Sequence, residues 1–205
     1  MKFFSIDSKF YKIMMSVGEM MILNICFLIG CLPLVTIGAA CTAMYTVMLR
    51  RLREEGSGTI VPFFKAWWSN LKVSTLFWLV QAFMTVSLGL TFFLPLPVAF
   101  KVLAGIVLTL VTLVYSIIYP QIARFRNRKF VYLRNALILM VLRLGKVLLN
   151  LLVILSPVLI FLLVPVEFLR YGFIWFLFGF SALFYCSAGL MQQILLPLEE
   201  LASKK

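Results

Sequence analysis

Five long apolar runs, set apart by two short proline-marked turns and two longer basic stretches, give this chain its pattern. They extend from Met20 to Leu49, Val73 to Leu94, Val98 to Ala123, Val147 to Val164 and Tyr171 to Leu196. Each is long enough, at about 1.5 Å of helical rise per residue, to cross a hydrocarbon core of about 30 Å. Ahead of them, Phe3, Ile6, Phe10, Ile13, Val17 and Met21 recur at steps of three and four, with Asp7, Lys9, Lys12 and Ser16 between. That period predicts an amphipathic helix over residues 1–19 lying in a membrane interface. The expected fold is all-α: a polytopic membrane helical bundle of about five transmembrane helices, with the interfacial helix ahead and amphipathic helices in the basic loops 50–72 and 124–146. Residues 1–205 then form a single membrane domain.

The first run is too long for one straight crossing. As a helix it would cover about 45 Å, so it must tilt, protrude or break. Pro33 marks the kink, since it lacks an N–H and clashes with the preceding turn. Small residues follow at spacing four, Gly38 with Thr42 and Ala39 with Ala43. Such positions let another helix approach closely, so Pro33, Thr36, Gly38, Ala39, Thr42 and Ala43 are read as a surface for a partner or for helix packing. Gly38-Ala39-Ala40-Cys41 also has the outline of a lipoprotein cleavage box. A run that contains Pro33 and continues past the cysteine to Leu49 argues against cleavage there. The hairpins Pro95-Leu96-Pro97 and Pro165–Arg170 make the later helices two antiparallel pairs.

Charge orients this pattern. Twelve Lys and Arg fall in the two long loops and two, Lys101 and Arg170, in the short hairpins. The long loops and the C-terminus are therefore expected in the cytoplasm. Five crossings then put the N-terminus outside, against the pull of Lys2, Lys9 and Lys12. A re-entrant hairpin around Pro33 is the alternative, and it would leave both flanks of residues 20–49 cytoplasmic. Composition agrees with a lipid solvent: 63% hydrophobic, 13% charged, mean hydropathy +1.08. The net charge of +12 is explained by membrane orientation, and no nucleic acid is expected as partner.

Candidate chemistry is sparse. The chain has no histidine, and Cys26, Cys31, Cys41 and Cys186 lie in apolar stretches without C-x-x-C spacing. No paired carboxylates, nucleophile–base set, P-loop or metal-ligand cluster is present, so neither enzyme activity nor a cofactor is expected. Near the middle of the spans no charged residue falls, and the polar residues there are uncharged, among them Asn24, Gln81, Tyr115 and Asn150. A passive path for a neutral solute would need Gln81, Asn150 and Tyr115 to face one cavity. The most distinctive stretch is Pro62–Lys72, whose Phe63, Phe64, Trp67 and Trp68 fall on one helical face. With the clusters Arg50, Arg51, Arg53 and Arg124, Arg126, Arg128, it is read as a contact surface for lipid headgroups or a protein partner. The two basic loops echo each other at an offset of 74 residues from Arg50 to Arg124 and from Lys72 to Lys146, as a duplicated unit would.

The block Leu32-Pro33-Leu34-Val35-Thr36-Ile37-Gly38-Ala39-Ala40, continued by Arg50-Arg51-Leu52-Arg53-Glu54-Glu55-Gly56 and Phe63-Phe64-Lys65, resembles the YesL-like family of bacterial membrane proteins, whose function is unknown. The genes of that family commonly accompany those of carbohydrate ABC importers in Gram-positive bacteria. The resemblance implies an accessory membrane subunit or assembly factor that touches the permease subunits of such an importer. Two other functions are weighed: a stand-alone small transporter or channel for a neutral solute, as a homo-oligomer, and a membrane organiser that binds anionic lipid.

Overall fold

A computed structural model describes residues 9–55 and 58–203. Lys9–Cys31 forms α1, Leu34–Thr36 a 3₁₀ turn, Ile37–Leu52 α2, Ile60–Leu90 α3 and Val98–Arg124 α4. Lys129–Leu142 forms α5, Leu144–Leu163 α6, Pro165–Arg170 α7 and Gly172–Ile174 α8. A π-helical turn at Trp175–Gly179 then leads into α9, Phe180–Ser203. The bundle is all-α, with no strand among the described residues. Five stretches are long and apolar enough to cross a membrane: Met14–Cys31, Ile60–Leu90, Val98–Arg124, Leu144–Leu163 and Gly172–Glu199.

Residues 20–49 are not one kinked helix. A single helix would set Arg51 about 48 Å from Glu19. Instead Arg51 Nη2 lies 3.1 Å from Glu19 Oε2 and 2.6 Å from Ser16 Oγ, so α2 returns antiparallel to α1. Pro33 is the cause: it cannot donate into the preceding turn, and it disfavours helical backbone at Leu32. The turn that results is held by side chains. The Thr36 hydroxyl lies 2.8 Å from the carbonyls of both Gly30 and Pro33. The indole N–H of Trp67 donates to Gly30 O at 3.3 Å, and that of Trp78 to Leu34 O at 2.8 Å. Tip carbonyls that lipid could not satisfy are thus met by α3.

The hairpin is also short. From Glu19 to Cys31 it covers about 18 Å. Its tip residues Leu32 and Leu34 are apolar and 78% and 74% exposed. Helix α3 meets the tip at Trp78 and continues to Leu90, roughly another 18 Å. The chain thus enters and leaves the hairpin at one end, with Glu19 beside Arg51 rather than at the far end of a single helix. Of the interfacial helix expected over 1–19, residues 1–8 lie outside the described residues, and Lys9–Glu19 are simply the first turns of α1. Likewise Pro62–Lys72 is no separate helix but the beginning of α3.

Helices α3 and α4 pair antiparallel through Phe77 with Tyr115 and the Tyr119 hydroxyl donating to Gln81 Oε1 at 2.6 Å. Helices α6 and α9 pair through Lys146 with Gln193 and Asn150 with Ser187. Both expected pairs are present, but the segments leading into them differ. The first is continuous in α3, whereas the second breaks at Arg143 between α5 and α6. The core between the pairs holds Met44, Met48, Ile117, Ile118, Met191 and Ile194, all fully buried. Pro157 sits inside α6 and cannot donate to Val153 O; the neighbouring Ser156 hydroxyl does so instead, at 2.8 Å.

One polar side chain organises the end of the bundle opposite the arginines. The wider π-helical turn leaves backbone groups without their usual partners. Asn24, fully buried in α1, supplies them: its Nδ2 donates to Phe176 O at 2.6 Å and lies 3.2 Å from Trp175 O. Its Oδ1 accepts Ser181 N–H at 2.9 Å.

Candidate functional site

Five elements that the chain brings together from distant positions line a half-open cavity of about 290 Å³. The hairpin contributes Phe27, Cys41 and Tyr45. Trp78 and Gln81 come from α3, and Thr112, Ser116 and Tyr119 from α4. Ile154 and Pro157 of α6 and Phe180, Leu183 and Phe184 of α9 complete the wall. Two features shape the space. Pro157 interrupts the regular backbone of α6 at the cavity wall, and Phe27 is braced between Phe180 and Phe184 with ring centroids 5.3 and 5.4 Å away.

The polar atoms around the cavity are mostly engaged with one another. Tyr45 Oη lies 2.6 Å from Ser187 Oγ, and Ser187 in turn donates to Asn150 Oδ1 at 2.6 Å. Thr112 and Ser116 donate to carbonyls of their own helix. Two amides are exceptions. Asn150 Nδ2, behind Ser187, is buried without a partner among the described residues. Gln81, which lines the cavity, accepts from Tyr119 through Oε1, while its Nε2 donates to no acceptor among the described residues. No Asp, Glu, Lys or Arg lines the cavity. Such a chamber suits a small uncharged molecule that is largely apolar and carries one oxygen able to accept from the Gln81 amide. Of the three residues that a solute path would require, only Gln81 lines the cavity. Asn150 stands behind Ser187, and Tyr115 packs on Phe77.

The residues read from sequence as contact surfaces have definite places. Pro33 is at the exposed hairpin tip and Thr36 bonds the turn together. Gly38, Ala39, Thr42 and Ala43 are buried inside the chain. At Gly38 a Cβ would come 2.5 Å from Ser74 O, and Thr42 Oγ1 lies 2.8 Å from Ser74 Oγ, so this surface packs on α3. Phe63 is fully buried and Trp67 reaches Gly30, whereas Trp68 is 73% exposed and Phe64 sits at the surface beside it.

The arginines divide in the same way. Arg51 is tied to Ser16 and Glu19. Arg53 pairs with Glu199 and lies 3.9 Å from Glu55; Arg124 reaches the same two acids at 3.2 and 3.4 Å. These contacts join the ends of α2, α4 and α9. Arg50 donates only to the Glu55 main-chain carbonyl, and Arg126 and Arg128 are exposed without an ion-pair partner among the described residues. Sequence reasoning identified Gln81 and Asn24 as polar residues within apolar runs. It missed Tyr45, Trp78 and Tyr119, because an aromatic in a span looks the same whether it faces lipid or a chamber.

No curated protein and no solved structure matches the chain. A family model described as "Protein of unknown function, DUF624" matches residues 20–92, a stretch that contains the hairpin turn, α2 and α3 and ends before α4. YesL proteins are members of that broader family, so the resemblance read from the hairpin block holds at this coarser level.

Proposed function

We propose that this chain is a non-catalytic, multi-pass membrane protein that binds a small neutral amphiphile in the chamber beneath its hairpin. The observation that carries the reading is the cavity of about 290 Å³, apolar and aromatic in its walls, with the unengaged Gln81 amide in it. In this reading α3, α4, α6 and α9 cross the membrane and the α1–α2 hairpin is re-entrant. The arginine-rich end faces the cytoplasm together with both termini, as the positive-inside rule favours. A cysteine introduced at Ser16 should be labelled by impermeant maleimide only from the cytoplasmic side; labelling from outside sinks this orientation.

The cavity is tested with a dibrominated long-chain alcohol, whose bromines quench indole fluorescence on contact. Above the linear background from exposed Trp68, a saturable component of the quenching should appear. It should disappear in Trp78→Phe and require roughly 2- to 10-fold more alcohol in Gln81→Leu, the value of one ordinary hydrogen bond. Quenching that rises linearly with the alcohol content of the micelle, equally in both variants, refutes the site.

A second reading, an accessory subunit beside a carbohydrate ABC importer, rests on the family resemblance. The surfaces first read for it are largely internal. A wide groove of about 810 Å³ between α6 and α9 favours it instead, where the small side chains of Ala182 and Cys186 leave room for a partner helix. The occupant in this reading is a permease transmembrane helix. Oxidative cross-linking of Cys186 to cysteines placed along that helix supports it, and a lack of any cross-link in membranes containing all subunits counts against it.

A further inference from the structure

The basic end of the bundle carries a second pocket, separate from the chamber. It has a volume of about 280 Å³ and lies between the end of α2, the first turns of α3 and the end of α4. Arg50, Lys65, Arg124 and Arg126 line it together with Ser69 and Asn70, and no carboxylate is among its lining residues. Arg124 is already matched by Glu55 and Glu199. Lys65, Arg126 and the guanidinium end of Arg50 have no carboxylate within ion-pair distance among the described residues. Three positive groups thus line one small volume without a carboxylate partner among the described residues, while Arg51, Arg53 and Arg124 are held by acids.

The setting identifies the ligand. Lys65 lies one residue before Ala66, whose carbonyl both Ser69 and Asn70 bond, and Trp68 on the next turn is 73% exposed. Exposed tryptophan beside lysine is the arrangement of a helix crossing the headgroup layer. Below it α3 turns exposed Leu76, Leu79 and Val80 outward. A molecule with its anionic group in the pocket would lay apolar chains along that face. We infer that this pocket binds the phosphate of an anionic phospholipid headgroup.

The full chain in dodecyl maltoside micelles is titrated with phosphatidylglycerol or phosphatidylcholine and followed by native mass spectrometry. Each basic residue facing an anionic headgroup changes affinity about fivefold, so Lys65→Gln/Arg126→Gln should weaken phosphatidylglycerol binding about 25-fold. Arg128→Gln, outside the pocket, should change it by less than about twofold. The charge-preserving pair Lys65→Arg/Arg126→Lys should retain binding and the unfolding midpoint. Undiminished binding in the Gln pair, or an equal loss in Arg128→Gln, overturns the pocket as the site. Loss in the charge-preserving pair overturns charge as its basis. Displacement of the lipid by millimolar inorganic phosphate overturns the assignment to lipid in favour of a soluble phosphate ligand.

Discussion

Replacing Asn24 with Leu should destabilise the bundle without disturbing its shape elsewhere. Leucine keeps the number and branching of heavy atoms, but its methyl groups are bulkier than the amide atoms, so at this fully buried position some overpacking adds to the loss. What is lost is the set of contacts to Trp175 O, Phe176 O and Ser181 N–H. Interhelical hydrogen bonds in membrane proteins average about 0.6 kcal/mol and reach about 1.7. Three of them give roughly 2 to 5 kcal/mol. The lower value holds if the π-helical turn relaxes to ordinary helix and recovers its own bonds. That relaxation removes one residue from the turn and rotates the preceding segment by about 100°. It would carry Trp175 away from Phe180, with which it now stacks edge-on at 6.4 Å. The assay is equilibrium unfolding in mixed micelles, read by circular dichroism alongside Trp175 emission in a background where the other tryptophans are phenylalanine. A loss below about 0.5 kcal/mol with unchanged emission would show that α9 holds the turn by itself and that Asn24 is incidental.

Other substitutions test the hairpin and its base. Gly38→Ala places a methyl group 2.5 Å from Ser74 O and 2.6 Å from Trp78 Cβ, and should cost about 1–3 kcal/mol of stability; a neutral result in the same unfolding assay would mean that α2 and α3 are not in contact there. Arg53→Gln and Glu199→Gln should show a coupling of about 0.5–3 kcal/mol in a double-mutant cycle, because their contact joins the ends of α2 and α9. Strict additivity would separate those ends. Trp78→Phe removes the donor to Leu34 O while keeping most of the ring, and should cost about 0.5–1.5 kcal/mol and speed proteolysis at the hairpin tip. Unchanged protease sensitivity would argue that Thr36 and Trp67 hold the tip without Trp78.

Much of this molecule was legible in the residues. Hydrophobic length determined that helices α3, α4, α6 and α9 exist, and the ends of α4 and α6 fall close to their apolar runs. Helix α3 instead begins at Ile60 rather than Val73, carrying Lys65 and Lys72 inside it, and α9 is shifted to Phe180–Ser203 by the π-helical turn that precedes it. Proline-marked turns determined the antiparallel pairs. Pro33 announced a break, yet a break has no direction in sequence: kink and reversal share one proline. The reversal depends on donors supplied from elsewhere, Trp67 and Trp78, which lie 34 and 45 positions further on.

The same limit governs the contact surfaces. Small residues at Gly38 and Thr42 and basic residues at Arg51, Arg53 and Arg124 specify that something packs or pairs there. Whether the neighbour is this chain or another is a property of the assembled bundle, which places Ser74, Glu19 and Glu199 beside them. The chamber could be found only in three dimensions. Its wall draws one to three residues from each of six helices, and aromatic side chains in an apolar run carry no mark of which way they face until those helices have packed.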